Sequence, residues 1–192
     1  MRHLDIGSGI NHKNPYNAAE VYGIDIQPNL NNLKNYHQVN LFSEQIPFDS
    51  NYFDSVSAFD FIEHVPRVRI KDCGDTLFPF IELMNEIYRV LKVGGQFYAV
   101  TPFYPKVEAF QDPTHVNIIT KKTHEYFCGK DCYANYYGFK GNFKCIKVES
   151  ISVKLGKKGK NASWIHKLYD YKRKLLGKHT HLLWELQKID LT

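Results

Sequence analysis

The chain begins with a short apolar segment that ends in two closely spaced glycines. Residues 3–9 read HLDIGSG, and residues 22–25 read YGID. This pattern predicts a buried strand, a tight glycine turn and a second strand that ends in an acidic residue, Asp25. Glycines in such a turn let a ligand approach the backbone closely, and a carboxylate at the second strand tip can hold a ribose diol. The opening therefore indicates a site for a nucleoside-bearing cofactor.

Strand and helix patterns alternate along the first hundred residues, which is typical of an α/β domain with a largely parallel sheet. The predicted strands of this part lie at residues 2–6, 20–25, 37–41, 53–59 and 96–101. Before the last of them, residues 75–92 carry apolar side chains at helical spacing, and Gly94 and Gly95 predict the helix end. Pro79 fits this helix only in its first turn, so the helix can begin a few residues after its first candidate cap, Asp75.

The connection between the first two predicted strands is short. Residues 10–19 leave little room for a full helix, and Asn14 precedes a proline, which disfavours helix there. We therefore expect one or two helical turns near residues 16–19. A dinucleotide would require a third glycine and a well-formed helix aimed at its pyrophosphate, whereas His12 occupies that third position. The turn thus favours a cofactor without a pyrophosphate, and S-adenosylmethionine is such a cofactor.

The pattern is looser after residue 102. Residues 104–117 are predicted to form a long loop, and residues 120–127 a short helix. Two late strands are expected at residues 145–153 and 181–189, with a helix as the alternative for the second. Between them, residues 163–176 have a helical pattern. The apolar face of residues 145–153 switches at residues 149–150, which predicts a β-bulge there.

Length and composition fit one domain over residues 1–192, with a cofactor half at 1–101 and a substrate half at 102–192. No apolar run is long enough to span a bilayer, and Met1 lies almost directly on the first strand, without a signal peptide. We therefore expect a cytoplasmic protein with reduced cysteines. The net charge of +5 includes two lysine clusters within residues 154–178. They form either a solvated surface or a contact for phosphates, nucleic acid or an anionic membrane.

Four motifs together resemble the class I S-adenosylmethionine-dependent methyltransferases, type 11. Residues 5–9 (DIGSG) are similar to the first motif of this family, and Asp25 to its ribose-binding acid. Residues 53–65 (FDSVSAFDFIEHV) resemble the fourth strand and its turn, and residues 86–101 the helix, glycine turn and fifth strand that follow. The resemblance implies a Rossmann-like, three-layer α/β/α fold. Its seven-stranded sheet would be mostly parallel, with one antiparallel strand.

The resemblance also implies contacts with the cofactor at the strand tips. Asp25 would accept hydrogen bonds from the ribose hydroxyls. The other predicted contacts are Asp5, Gly7, Ser8 and Gly9 on the methionine side, Ile26, Asn40 and Leu41 around the adenine, and Phe59 or Asp60 opposite the methionine amino group. Asn11 stands where the family usually has a third glycine, and Asn40 where it often has an acid.

Residues 109–116 (AFQDPTHV) are similar to a subgroup of small bacterial methyltransferases, some of them linked to surface-polysaccharide or sugar modification. This DPTH loop follows the fifth strand, at the edge where open sheets bind ligands. His115 is therefore the candidate base for the acceptor proton, and Asp112 would orient His115 or contact the substrate. The alternative is that Asp112 caps a turn and His115 bonds to the backbone. Glu63 is expected to brace the cofactor loop, and His64 to pack or cap.

The sequence predicts no metal site. Three residues separate Cys128 from Cys132, rather than the usual two, and no second pair exists. Asp112 with His115 could hold a divalent ion, although no pattern requires one.

The predicted function is methyl transfer to a small molecule, such as a sugar hydroxyl. An RNA or other nucleic-acid methyltransferase is the alternative that the basic carboxyl end suggests. Residues 60–63 (DFIE) do not match the aromatic-proline motif usual in enzymes of that class. A third alternative is a binding protein that has lost its activity. The sequence contains no signal for an oligomeric state.

Overall fold

The computed structural model describes residues 1–190. Its strands are β1 Arg2–Ile6, β2 Glu20–Asp25, β3 Tyr36–Gln38, β4 Phe53–Phe59, β5 Arg69–Ile70, β6 Thr76–Leu77, β7 Leu91–Pro102, β8 Phe143–Ile151 and β9 His181–Lys188. The α-helices are α1 Pro79–Val90, α2 Val153–Lys158 and α3 Trp164–Leu175. Short 3₁₀ helices lie at Ile62–His64, Val107–Ala109, Thr123–Phe127, Tyr133–Tyr137 and Gly159–Asn161.

Seven strands form one sheet in the order β3-β2-β1-β4-β7-β9-β8, and β5 pairs with β6 in a separate ribbon. The first five strands in this order, β3, β2, β1, β4 and β7, pair in parallel. Strand β9 runs antiparallel to both β7 and β8. The predicted seven-stranded sheet with one antiparallel strand is confirmed. The chain moves outward from β1 to β3 and then returns to place β4 on the other side of β1. This reversal opens a crevice at the carboxyl ends of β1 and β4, where open sheets bind ligands.

The core occupies both faces of the sheet. In β7, Phe97 and Ala99 belong to the larger apolar cluster, which includes the buried side of α1. Tyr98 and Val100 belong to a smaller cluster, against which Leu155 of α2 packs. Successive side chains of a strand point to opposite faces, so the helices α1 and α2 lie on opposite sides of the sheet. This gives the predicted three layers.

The connection from β1 to β2 differs from expectation because residues 7–19, all described, contain no helix. The chain makes one turn, in which the amide of Asn17 donates to the carbonyl of Asn14 at 3.4 Å. The side chain of Asn14 explains the difference. Its Oδ1 accepts from the amide of Ala18 at 2.8 Å, and its Nδ2 donates to the carbonyl of Ala18 at 2.9 Å. A side chain that binds these backbone groups competes with the hydrogen bonds of a helix.

The end of α1 and the start of β7 were predicted wrongly. The helix α1 begins at Pro79, in agreement with a proline in the first turn, but it ends at Val90 rather than at the glycines. Strand β7 follows directly at Leu91, five residues before the predicted start, and its pairing with β4 shifts between Phe53 and Ser55. Gly94, with φ of 79°, supplies the left-handed residue in this irregular stretch. Strand β3 is also shorter than expected.

The bulge in β8 lies earlier than residues 149–150. Cys145 pairs with Leu186 and Lys147 with Glu185, so Ile146 is the extra residue. Ile146 is exposed, as a bulged residue at a sheet edge can be. The prediction of a strand rather than a helix near residue 181 is confirmed by β9. Within residues 1–190, no helix combines the length and the apolar character that crossing a membrane requires.

Candidate functional site

A cavity of about 190 Å³ lies at the carboxyl ends of β1, β2 and β4. The cavity occupies the crevice that the reversal of strand order creates at this edge of the sheet. Six of the predicted cofactor contacts line it: Gly7, Asp25, Ile26, Asn40, Leu41 and Asp60. The other lining residues are Ile24, Val39, Phe42, Phe61 and His64. The predicted strand tips therefore converge on one site.

The glycine turn forms the floor of this site. Gly7 and Gly9 have φ of 65° and 58°, in the region that side chains rarely adopt. A Cβ on Gly7 would clash with the ring of Phe61. The amides of Gly7 and Ser8 donate to the carbonyl of Ile24 at 2.9 and 3.1 Å, which fastens the turn to β2. The turn is thus fixed, and Gly7 is its residue that lines the cavity.

Asp25 completes the turn through its carboxylate. Its Oδ2 accepts from the amide of Gly9 at 2.9 Å, and its Oδ1 accepts from the amide of Gln27 at 3.0 Å. A carboxylate has about four acceptor directions, so both oxygens can still accept from a ribose diol. The exposed side chain of Ile26 lies on the same wall. These residues fit the sugar and the base of a nucleoside.

Asp5 lies beneath the turn, not in the cavity. Its side chain is fully buried, with Oδ2 accepting from the amide of Lys13 at 2.8 Å and Oδ1 from the hydroxyl of Ser57 at 2.7 Å. Burial raises the pKa of Asp5 to about 7, and the nearby charge of Lys13 opposes this rise. Ser8 is also fully buried, and Phe59 packs against Tyr98 in the core. These three predicted contacts shape the turn or the core and, like Gly9, do not line the cavity.

The raised pKa of Asp5 predicts how stability depends on pH. An unperturbed aspartic acid has a pKa of 3.8, whereas the pKa of Asp5 in the fold is about 7, so the folded state favours the protonated acid. The free energy of unfolding should therefore fall as the pH rises from 4 to 7, by up to roughly 4 kcal/mol from this group. Asp5→Asn cannot ionise, and its unfolding free energy should lack this decrease.

Denaturant unfolding at several pH values between 4 and 7 measures this difference. The variant also loses one hydrogen bond, because an amide has one acceptor oxygen, but that loss is independent of pH. Asp49→Asn, a change at an exposed acid, serves as the control. Parallel pH profiles for the wild type and Asp5→Asn would contradict the assignment.

Asp60 lines the cavity beside the turn after β4. Its φ is 49°, and its amide donates to the carbonyl of Val100 at 2.8 Å. Its Oδ1 lies 3.0 Å from Nε2 of His181, and its Oδ2 lies 3.9 Å from Nζ of Lys157. Burial acts to raise the pKa of Asp60, but the hydrogen bond and charge of His181 lower it overall. An ionised Asp60 can bind an ammonium group.

The sequence analysis did not predict two aromatic side chains of the site, those of Phe42 and Phe61. The rings of Phe42 and Phe61 lie 5.8 Å apart and both line the cavity. The one available signal for Phe61 was its position directly after Asp60.

A cluster of titratable side chains lies beside the cavity. One ligand atom from each of Glu63, His64 and His115 lies within 4.8 Å of the others. The amides of Val116 and Asn117 donate to the carbonyl of Glu63 at 2.9 and 3.0 Å, which fastens the DPTH loop to the turn after β4. His64 also lines the cavity. Burial raises the pKa of Glu63 to about 7.

Asp112 caps its own turn, which was the alternative to a role in orienting His115 or contacting the substrate. Its Oδ1 accepts from the amide of Thr114 at 2.8 Å and from the hydroxyl of Thr114 at 2.7 Å. Its Oδ2 lies 3.9 Å from Nε2 of His115, beyond hydrogen-bond distance. The amide of His115 donates to the carbonyl of Asp112 at 3.1 Å. The loop therefore brings the two predicted catalytic residues close without a direct bond between their side chains.

Comparison with known proteins places this geometry in a family. The family model of the methyltransferase domain matches residues 4–99, half of the 192-residue chain. An S-adenosylmethionine-dependent methyltransferase from Archaeoglobus fulgidus is similar, at 16% identity, a TM-score of 0.58, and coverage of 97% of this chain and 85% of that one. Another from Mesorhizobium loti has 14% identity, a TM-score of 0.58, and coverage of 97% and 90%. No curated protein sequence matched the chain.

A third solved structure contains ligands. The geranyl diphosphate C-methyltransferase of Streptomyces coelicolor was solved with Mg²⁺, geranyl diphosphate and S-adenosyl-L-homocysteine. It has 13% identity and a TM-score of 0.54, over 98% of this chain and 71% of that one. The family match, together with the named neighbours, supports S-adenosylmethionine as the cofactor. The chain belongs to the methyltransferase domain family.

Proposed function

We propose that this chain transfers the methyl group of S-adenosylmethionine to a hydroxyl of a small-molecule acceptor. One observation carries the proposal: the cavity that holds Asp25 and Asp60 shares the side chain of His64 with a cluster of proton-binding groups. A cofactor site and a candidate deprotonation site therefore adjoin each other. Methyl transfer to an oxygen requires both.

The cofactor would lie along the cavity wall. Asp25 would accept from the ribose hydroxyls, and Asp60 would bind the methionine ammonium group. Ile26 and Phe42 offer apolar surface for the adenine, and the backbone at Gly7 allows close approach. Among the remaining predicted contacts, Asn40 and Leu41 line the adenine side. Asp5, Ser8, Gly9 and Phe59 would act through the shape of the turn and the core.

When bound, S-adenosylmethionine would supply an activated methyl carbon, to which the acceptor oxygen would bond as the C–S bond breaks and its electron pair passes to sulfur. The acceptor hydroxyl also loses its proton, and His115 is the proposed recipient, from which the proton passes to solvent. Asp112 holds the loop that positions His115. Most of the acceleration would come from alignment of the acceptor with the methyl carbon.

A second cavity, which has no lining residue in common with the cofactor cavity, contains basic side chains that would attract an anionic acceptor. It has a volume of about 570 Å³, and its lining includes Phe103 and Tyr104, the two residues directly after β7. Four lysines line it: Lys106, Lys121, Lys122 and Lys174. Ammonium groups around a cavity favour phosphate or carboxylate groups. A nucleotide sugar or sugar phosphate, as in surface-polysaccharide synthesis, fits this lining.

An RNA acceptor is the second candidate, because α3 presents exposed aromatic and basic side chains together. Trp164 is 72% exposed and Tyr171 is 58% exposed, among Lys167, Lys172 and Lys174. Exposed rings between cations are typical of surfaces that stack nucleobases. RNA binding that weakens steeply with salt, together with methylation of RNA and not of nucleotide sugars, would favour this candidate.

Calorimetry with S-adenosylmethionine and S-adenosylhomocysteine tests the proposal. We expect each to bind with one site per chain, because the described residues provide one cavity with this set of groups. A labelled methyl donor then identifies the acceptor among nucleotide sugars, sugar phosphates and RNA. Absence of binding of both cofactor forms would contradict the proposed function in all its versions.

A further inference from the structure

We propose that Glu63, His64 and His115 form a binding site for a divalent transition-metal ion, at which the acceptor hydroxyl binds. The metal site stands on its own observations, whereas its role toward the acceptor rests on the proposed function. The three side chains offer ligand atoms within 4.8 Å of one another. Ligands of one tetrahedral ion at bonds of about 2 Å lie about 3.3 Å apart, so small side-chain movements would close these atoms around an ion.

The first observation is an unsatisfied oxygen of a buried acid. Glu63 is 1% exposed, and its Oε2 accepts from the hydroxyl of Thr101 at 2.8 Å. Its Oε1 is buried and has no hydrogen-bond partner within residues 1–190. Leaving such an oxygen unpaired is unfavourable, since burial removes its hydration. A cation bound between Glu63 and the two imidazoles would supply the missing partner.

The second observation is a hydrogen-bond chain that fixes the tautomer of His64. The hydroxyl of Thr114 donates to Oδ1 of Asp112 at 2.7 Å, so its only proton is used. Nδ1 of His64 lies 2.9 Å from the oxygen of the same hydroxyl and must therefore be the donor. The proton of a neutral His64 is then on Nδ1, and Nε2 keeps a lone pair for a metal. Such outer hydrogen bonds commonly orient imidazole ligands.

The third observation concerns His115. Its side chain is 8% exposed, and its Nδ1 is buried with no partner in the described part of the chain. In the tautomer with its proton on Nε2, Nδ1 would offer its lone pair to a metal. Its Nε2 would then carry the proton and face Oδ2 of Asp112, 3.9 Å away. A carboxylate beside the second nitrogen is the usual environment of a metal-bound histidine.

The backbone holds the three side chains in place. Two amides of the DPTH loop donate to the carbonyl of Glu63, and Nδ2 of Asn117 donates to the carbonyls of Ile62 and Val65. These bonds join the loop after β7 to the turn after β4. The cluster is therefore preorganised, although its members come from distant parts of the chain.

The donor set selects the kind of ion. Two imidazoles and one carboxylate form the ligand set of many catalytic zinc sites, which keep an open position. Mg²⁺ and Ca²⁺ prefer oxygen ligands, so we expect Zn²⁺ or a similar transition-metal ion. A hydroxyl at the open position would have a lowered pKa and lose its proton to water. His115 would then act as a ligand rather than as the free base.

Metal titration of the chelator-treated protein tests the site. We expect one Zn²⁺ per chain in calorimetry, loss of this binding in Glu63→Gln and in His115→Ala, and much weaker binding of Mg²⁺. Thr101→Val removes the hydroxyl that donates to Glu63 at 2.8 Å and, at 3.4 Å, to the carbonyl of Pro102, and it should weaken Zn²⁺ binding about 10- to 100-fold. His166→Gln changes a histidine on α3 outside the cluster and should bind Zn²⁺ as the wild type does. Circular dichroism confirms that each variant is folded.

Zn²⁺ binding that is equal in the wild type and the folded Glu63→Gln and His115→Ala variants would overturn the proposal. So would Zn²⁺ binding that His166→Gln removes. Calorimetry with S-adenosylmethionine on the metal-free protein separates the two proposals, because the cofactor cavity includes only His64 from the cluster. Cofactor binding without any zinc site would refute the metal site alone. A zinc site without cofactor binding would refute the proposed function alone.

Discussion

Asp25→Ala is expected to weaken the binding of S-adenosylmethionine about 100-fold or more in calorimetry. Hydrogen bonds to a charged group are worth about 1.5–3 kcal/mol each, and a ribose offers two hydroxyls to this carboxylate. Losing both corresponds to at least a factor of about 100 in the dissociation constant. The variant also releases the amide of Gly9, which Asp25 holds at 2.9 Å, so the turn itself becomes less ordered.

Two further variants separate the loss of hydrogen bonds from the loss of the turn. Asp25→Asn keeps one acceptor oxygen at the same place, so its affinity should fall between those of the wild type and Asp25→Ala. Asp49→Ala removes an exposed acid before β4 and should bind as the wild type does. Unchanged affinity in Asp25→Ala would show that the cofactor does not bind at the tip of β2.

The sequence is most informative where one local pattern determines both structure and site. Asp25 ends a strand beside the glycine turn, and the structure places it in the cavity as that pattern predicts. The strands β1, β2 and β4 have the predicted bounds because each is a short, largely apolar segment between polar residues. The side chain at such a strand tip follows from the strand itself.

Phe59 and Asp60 show a limit of that reasoning. Both stand at the tip of β4, but only Asp60 reaches the cavity, while Phe59 packs in the core. The positive φ of Asp60 turns the chain at this point. The left-handed conformation is enriched at Asn and Asp, but most residues of these types do not adopt it, so the choice between Phe59 and Asp60 required the structure.

The cluster shows a second limit. Glu63 and His64 follow β4, whereas His115 lies in a loop after β7, and α1 separates them along the chain. Their approach depends on backbone bonds from residues 116–117 to the carbonyl of Glu63, which no side-chain pattern encodes. The sequence identified His115 by its loop and treated His64 as a packing or capping residue. Only the three-dimensional contact makes the three residues one group.

His115→Ala is expected to reduce kcat by about 10²- to 10⁴-fold while the affinity for S-adenosylmethionine stays unchanged. The loss follows if His115 takes the acceptor proton, since general bases contribute rate factors of this size. The affinity should stay because His115 does not line the cofactor cavity. Labelled-methyl kinetics with the identified acceptor measure kcat, and His166→Ala on α3 provides the control. Unchanged turnover would remove His115 from the mechanism.

Metal dependence distinguishes the two roles of His115. As a free base, His115 would support the same turnover before and after chelator treatment of the wild type. If His115 is a metal ligand, we expect chelation to lower wild-type turnover and added Zn²⁺ to restore it. Added Zn²⁺ should not rescue the turnover of His115→Ala. Both roles need the loop that Asp112 and Thr114 hold in place, so Thr114→Val should lower kcat in either case. The response to chelation, rather than the loss in His115→Ala, therefore decides how the acceptor is deprotonated.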